Sequence, residues 1–253
     1  MLDLEYLDPY LNLSVEEAIF RAVDAGRAPN TLRFWRNRNA VVVGYAQDVP
    51  SEVNLDACFK YDIVIARRFT GGGAVYQDHG NLNWTVVVRK NHIIVPKNIF
   101  EFYNIIGKVI TASLVPLGIK AVVRDNGIYV RDRKITGMAM RIGKAALLCH
   151  GTLLVSTDLA ILYEALNACR KKSSSACVEV TTIEREIKRN IPISDIKNSI
   201  ISAFESLFGI KLKYGKLTVE EKELSRMLYA EKYSRNGSLT QRGGKINGIF
   251  NIK

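Results

Sequence analysis

The densest group of side chains able to bind a ligand is Arg67-Arg-Phe-Thr-Gly-Gly-Gly-Ala-Val-Tyr-Gln-Asp-His-Gly-Asn-Leu-Asn83. Gly71, Gly72 and Gly73 remove three consecutive side chains, so backbone N–H groups can approach an anion closely, and Arg67, Arg68 and Thr70 add donors beside them. Such a loop suits a phosphate or an acyl-phosphate. Its spacing is neither G-x-G-x-x-G nor G-x-x-x-x-G-K-[ST], so neither a dinucleotide fingerprint nor a P-loop follows. A run of three glycines alone is equally a flexible turn; the donors on both flanks argue for a ligand. A second group is Lys134-Ile-Thr-Gly-Met-Ala139, followed by Cys149-His-Gly-Thr-Leu-Leu154. A lysine at a strand end beside a glycine can neutralise a phosphate and the charge that builds on a carbonyl oxygen. The plain alternative for a lone lysine is a solvated surface group.

The elements that must position these residues are legible from periodicity. Ser14-Val-Glu-Glu17 has the form of a capping box, with Val15, Ala18, Ile19 and Ala22 following at helical spacing, so a helix is expected to open near Ser14. Thr31–Tyr45 reads as a hairpin around the polar turn Asn37-Arg-Asn39. Ile63–Ala66 and Trp84–Val88 are β-branched runs on either side of the glycine-rich loop, which two strands would therefore display. A helix is expected from Ile99 to just before Pro116, a hairpin over Ala121–Ile135 with turns at Asp125-Asn-Gly127 and Arg131-Asp-Arg133, and a strand over Ala145–Val155. Beyond Asp158 the pattern is helical: Leu159 to Leu166, then Ile196 to Phe208 stopping at Gly209, then Leu224, Leu228 and Tyr233 after a capping box at Thr218 and Glu221. Cys169–Cys177 reads as a surface loop, and the glycine-bearing tail after Ser234 as weakly ordered. Strands early and helices late predict an α+β fold with a mixed or antiparallel sheet flanked by helices.

A chain of 253 residues with 47% hydrophobic content can bury a core without staples, and one domain over 1–253 is expected. No stretch approaches the roughly 18 uninterrupted apolar residues of a membrane span, and MLDLEYLDPY is unlike a secretory signal, so a cytoplasmic protein is expected. Cys58, Cys149, Cys169 and Cys177 form no C-x-x-C pair, and His79, His92 and His150 stand in no zinc-ligand spacing with them. The net charge of +11 favours anionic partners without choosing among them; no basic helix or aromatic RNA motif appears, so nucleic acid is not the expected partner.

RRFTGGGAVYQDHGNLNW, DNGIYVRDRKITGMAM and CHGTLLVSTDL, in this order, resemble the three signature blocks of lipoate–protein ligases, with NLSVEEAIF and VVVGYAQ as further similar segments. The resemblance runs from about residue 10 to residue 166. It implies the biotin/lipoate ligase catalytic-domain fold and an enzyme that joins lipoate to ATP with Mg²⁺ to form lipoyl-AMP. The acyl group then passes to a lysine of a lipoyl domain, in a 2-oxoacid dehydrogenase E2 or the glycine cleavage H protein. By position, Lys134 is the catalytic lysine at the acyl carbonyl and α-phosphate. Arg68, Thr70, Gly71, Gly72, Gly73, Ala74 and His150 border the acyl-adenylate, and Val75, Tyr76, Asp78, Asn81, Asn83, Asn126 and Lys134 face the nucleotide. Asp125 is the implied metal ligand. Two departures stand out: Gln77 replaces the usual histidine, and Gly127 replaces the usual residue after Asp-Asn. The resemblance further implies the archaeal two-polypeptide arrangement, in which a separate accessory polypeptide assists adenylation. The competing readings are a cysteine-dependent octanoyl or lipoyl transferase, a biotin ligase whose usual Gly-Arg-Gly-Arg loop is missing here, and a non-catalytic basic binding module.

Overall fold

The computed structural model describes residues 1–167 and 179–234. Seven strands form one sheet in the order β1-β2-β6-β10-β9-β8-β7: β1 (Leu2–Asp3), β2 (Thr31–Trp35), β6 (Asn81–Arg89), β10 (Ala146–Leu154), β9 (Arg133–Ile142), β8 (Gly127–Val130) and β7 (Ala121–Arg124). Only the β1/β2 pair is parallel, so the sheet is mixed and nearly all antiparallel. Three more strands, β4 (Val64–Arg67), β3 (Asn39–Val43) and β5 (Val75–Asp78), form a small mixed sheet in that order.

Alternation along the central strands divides the core. Val86, Val88, Leu147 and Cys149 face one side of the large sheet and pack against α2 (Phe102–Leu114) and the helix Ile193–Phe208. Val87 and Leu148 face the other side and meet Val15, Ile19 and Phe20 of α1 (Pro9–Asp24). The segment Ile99–Leu117 is apolar and long enough to cross a bilayer by composition. Its Phe102, Ile106, Val109, Ile110 and Leu114 are fully buried against the sheet, which explains that composition.

Two expectations need correction. The first helix opens at Pro9, where Asp8 accepts from the Tyr10 N–H at 2.8 Å and proline occupies the first turn. Ser14 lies buried inside that helix and donates to the Leu11 carbonyl, so its capping-box pattern is incidental. Nor do β2 and β3 form a hairpin, since they belong to different sheets. The intervening Asn37 is fully buried: its Nδ2 donates to Gln77 Oε1 at 2.7 Å and its Oδ1 accepts from Asn12 at 2.9 Å. A polar residue there answers an internal hydrogen-bond demand, not a solvent turn.

The expected helices and the strand Ala146–Leu154 are present, whereas β5 inside the glycine-rich block and the short helices Val49–Glu52, Leu55–Lys60 and Ile183–Ile187 lie beyond the expected set, and the hairpin expected over Ala121–Ile135 is part of a three-strand meander. The meander β7-β8-β9 turns at Asp125 and Arg131, both at positive φ, and the helix Ile193–Phe208 ends on left-handed Gly209. Thr218 and Glu221 close a reciprocal capping box on the helix Val219–Leu228. Cys169–Cys177 and the tail after Ser234 lie outside the described residues.

Candidate active site

The strands β5, β9 and β10, the glycine loop and α1 enclose two adjoining cavities. The first, about 140 Å³, is walled by Leu13 and Glu16 of α1, by Trp35, Val42, Arg68, Gly72, Gly73, Gln77, Asn83 and Trp84, and by His150 and Gly151 of β10. The second, about 240 Å³, is walled by Tyr76, Thr136, Thr152, Leu154, Leu162, Leu166 and Val180. Gly73, Ala74, Val75, Lys134, Gly137 and Thr152 border both, so Lys134 stands at the seam.

The first cavity carries a continuous buried hydrogen-bond chain. Trp35 Nε1 donates to Thr85 Oγ1 at 3.2 Å, and Thr85 Oγ1 donates to Glu16 Oε1 at 2.6 Å. Glu16 Oε1 also lies 2.8 Å from His150 Nδ1, and His150 Nε2 lies 2.8 Å from Thr70 Oγ1. Arg68 Nε donates to the same Thr70 oxygen at 3.1 Å. An imidazole protonated on Nδ1 and accepting at Nε2 from the Thr70 hydroxyl gives each of these contacts a donor and an acceptor. Burial works against the charge of Glu16, yet His150, the Thr85 hydroxyl and Arg33 outweigh it and hold the carboxyl below its ordinary value. Its second oxygen, Oε2, is buried with no hydrogen-bond partner among the described residues.

Arg68 is a structural clamp as much as a ligand-facing cation. Its guanidinium donates to the carbonyls of Val42, Gly71 and Gly73, fixing the glycine loop against β3. Burial lowers it to about 10, which leaves it charged at neutral pH. Gly72 adopts φ +90°, a conformation that favours glycine, and a Cβ at Gly44 would overlap the Gly72 carbonyl.

Lys134 is half-buried. Desolvation lowers its pKa, with Asp125 opposing through its charge. Its side chain lies over a glycine floor: a Cβ at Gly127 would stand 2.8 Å from Lys134 Cε, and one at Gly137 3.8 Å from Nζ. The unusual Gly127 thus makes room for the lysine, a reason invisible in the sequence. The backbone around Lys134 is pinned on both sides, its N–H donating to Glu179 O at 2.7 Å and its carbonyl accepting from Thr181 at 2.9 Å.

The candidates named from sequence separate into wall and frame. Arg68, Gly72, Gly73, Ala74, Val75, Asn83, Asn126, Lys134 and His150 line the first cavity, and Tyr76 the second. Thr70, Gly71, Asp78, Asn81 and Asp125 line neither. Asp78 instead accepts from Gly80 and Asp158 N–H groups at 2.9 and 2.8 Å, fastening the β5–β6 turn to the end of β10. Asn81 is buried and donates to Asn83 Oδ1 at 3.0 Å. Gln77 accepts from Asn37 and Asn83, so an amide in this place joins a neutral buried chain. Asp125 is an exposed turn residue, and among the described residues no group of three His, Cys, Asp or Glu could hold a metal. Among the described residues Asp125 thus has no second carboxylate, histidine or cysteine grouped with it as a metal site.

Sequence reasoning missed Glu16, Trp35, Thr85 and Trp84. The spacing that places Glu16 opposite His150 is tertiary, and its signal was a carboxylate among apolar residues in an amphipathic helix. The cysteines beside the site are not poised for chemistry: Cys149 is fully buried on the face opposite His150, and burial pushes its thiol far up. Cys58 is raised to about 11 in the same way.

The chain matches known proteins in both sequence and fold. The chain is 32% identical over 241 residues to lipoate-protein ligase A subunit 1 of Thermoplasma acidophilum, covering 88% of this chain and 89% of that protein. It is 27% identical over 249 residues to the octanoyltransferase LipM of Clostridioides difficile, covering 88% and 91%. A structure described as a bi-partite lipoate protein ligase and its E2 lipoyl domain from Thermoplasma acidophilum superposes with TM-score 0.83 at 30% identity, covering 97% of each chain. A lipoate-protein ligase A bound with ATP superposes with TM-score 0.84 at 31% identity, covering 95% and 98%. Residues 8–205 match the model of the lipoyl protein ligase A/B catalytic domain, and the chain belongs to that family.

Proposed function

We propose that this chain is the catalytic subunit of a lipoate–protein ligase, with the acyl chain in the first cavity and the nucleotide in the second. The observation that carries the reading is the place of Lys134, a half-buried cation on the seam between the two cavities. An acyl-adenylate has its mixed anhydride between an apolar chain and a nucleoside, so the charge of both half-reactions falls on that seam. In the first, the lipoate carboxylate attacks the α-phosphorus of ATP, an O–P bond forms, and pyrophosphate leaves. In the second, a carrier lysine amine attacks the acyl carbonyl, an amide forms, and AMP leaves. Lys134 stabilises negative charge on the phosphate in one and on the carbonyl oxygen in the other. The two tryptophans of the first cavity flank the acyl chain, and Thr136 and Thr152 present hydroxyls to the nucleoside among Leu154, Leu162 and Val180. Any Mg²⁺ enters on the phosphates of ATP as part of the substrate, since Asp125 alone does not hold it.

The partners follow from the same reading: lipoyl domains of a 2-oxoacid dehydrogenase E2 or the glycine cleavage H protein, and a separate accessory polypeptide for adenylation. The decisive experiment measures pyrophosphate release with lipoate and ATP, with and without the accessory polypeptide, and transfer from preformed lipoyl-AMP to a lipoyl domain. Lipoate-dependent pyrophosphate release is expected. Its absence under both conditions, with transfer of an octanoyl group between carriers instead, would establish the transferase.

A further inference from the structure

The walls of the first cavity have a backing that comes from the far end of the described chain. Leu13, Trp35 and Val42 line the cavity, and behind them these three residues share one hydrophobic cluster with Leu228 and Tyr233. Tyr233 is 1% exposed and belongs to the wide turn Tyr229–Tyr233, in which Ser234 N–H reaches back five residues to the Tyr229 carbonyl at 2.7 Å. That widening lets Tyr229 and Tyr233 both face α1. Tyr229 Oη donates to Asp8 Oδ2 at 2.6 Å, the carboxylate that also caps α1. Tyr233 Oη donates to Glu17 Oε2, and Lys232 Nζ donates to both oxygens of Glu17 at 3.0 and 2.8 Å. Arg21 completes the set around this buried carboxylate at 2.6 Å.

Glu17 follows Glu16, the residue that α1 sends into the cavity. Lys232 Nζ also stands 5.9 Å from the ring centroid of Phe69, which lies between Arg68 and Thr70. The turn therefore grips both elements that carry the polar chain of the first cavity, α1 and the base of the glycine loop. None of its residues lines the second cavity.

We infer that Lys232 and Tyr233 are positioning residues for acyl binding, holding Glu16, Leu13 and Arg68 in register through Glu17 and Phe69 without touching the ligand. This rests on the assignment of the first cavity to the acyl chain. The asymmetry between the cavities gives it a signature that a general loss of stability lacks. Removing the clamp frees α1 on one side of the first cavity only, so lipoate affinity falls while ATP affinity holds.

The test is titration calorimetry of lipoate and, separately, of ATP into the full chain and into its Lys232→Met/Tyr233→Phe variant, which keeps the ring and the stem while removing the donors. Lipoate binding is expected to weaken about tenfold, the scale of losing hydrogen bonds to a buried charge, with the ATP constant within about twofold. Tyr233→Phe alone, the milder change, is expected to fall between. Unchanged lipoate binding in a folded double variant overturns the inference, and so does an equal loss for both ligands. If the double variant does not fold, the same comparison is read from Tyr233→Phe. A wild-type chain that binds no lipoate sinks the cavity assignment itself, and the inference with it.

Discussion

The first cavity is bordered by a chain of side chains hydrogen-bonded to one another, whereas the second is enclosed by side chains from distant segments, Leu154, Leu162, Leu166 and Val180 beside Glu52, Tyr76, Thr136 and Thr152. Glu16, Thr85, His150, Thr70 and Arg68 each have their partners fixed by strands or by a capped helix, so the first cavity has one arrangement at low free energy. In the second, Leu166 and Val180 reach the wall through single backbone bridges, Val53 with Leu166 and Lys134 with Val180, and Thr136 Oγ1 is buried without a partner among the described residues. The difference separates a pocket held by a polar network from one held by packing and isolated backbone bridges. Lys134 belongs to both, and a change there tests whether the two act as one site. Lys134→Ala is expected to lower adenylation and transfer together by about a hundredfold to a thousandfold, on the scale of removing a donor at developing charge, with unchanged folding by circular dichroism. A loss confined to one half-reaction would mean that the lysine serves one cavity alone.

The next largest effect should distinguish rigid from yielding walls. A Cβ at Gly151 would stand 2.5 Å from Cζ2 of Trp84, a fully buried ring that could shift only into the first cavity it lines. Gly151→Ala is therefore expected to weaken lipoate binding about tenfold or more, in line with the roughly 1–3 kcal/mol cost of overpacking. Gly127→Ala meets the flexible stem of Lys134 and the edge of the Tyr129 ring, each at 2.8 Å and neither inside the first cavity's tryptophan wall, so it should spare lipoate binding and lower the rate of both half-reactions. Equal effects of the two substitutions on lipoate affinity would erase the distinction.

Much of this was legible beforehand because it is local. The glycine loop between strands, the meander with turns at Asp125 and Arg131, and the capping box at Thr218 rest on residues close in sequence, and the structure contains all three. What was illegible is tertiary. Asn37 looked like a turn residue because a buried asparagine and an exposed one have the same sequence context; only its bonds to Asn12 and Gln77 separate them. Ser14 and Glu17 matched a capping box, yet Asp8 and Pro9 had already opened the helix, and Glu17 is claimed by Arg21, Lys232 and Tyr233. Thr70 and Asp78 fall within the glycine-rich block but line neither cavity and instead hydrogen-bond its neighbours, a distinction that spacing does not express.

A smaller effect concerns pH. Glu16 has a folded-state pKa below its ordinary 4.5, so its contribution to stability is complete above that value and is lost as pH falls through the lower, folded one. Thermal melts of the wild type should thus be flat in this respect near neutrality and decline below about pH 4.5. Glu16→Gln keeps the shape, removes the charge, and should cost about 1–3 kcal/mol near neutrality while flattening part of that acid decline. A parallel decline in the variant would show that other carboxylates carry it. Lipoate binding should weaken less than in a variant lacking His150, because the amide oxygen still accepts from His150 and Thr85 and only the charge is lost.

The smallest effect is expected one residue away from His150. Cys149 is fully buried in the cluster packed against α2 and itself lines neither cavity, and its thiol is held protonated by burial. Adjacent residues on a strand project to opposite faces, so nearness in sequence gives this pair no chemistry in common. Cys149→Ala removes one buried sulfur, at a cost of about 1 kcal/mol, and should leave transfer from lipoyl-AMP to a lipoyl domain unchanged. The contrast with His150→Ala sharpens the point: that substitution opens the polar chain between Glu16 and Thr70 and should weaken lipoate binding without altering ATP binding. Loss of transfer in Cys149→Ala at full stability would instead demand a thiolate in the reaction, and with it a rearrangement of β10 that brings the other face of the strand to the ligand.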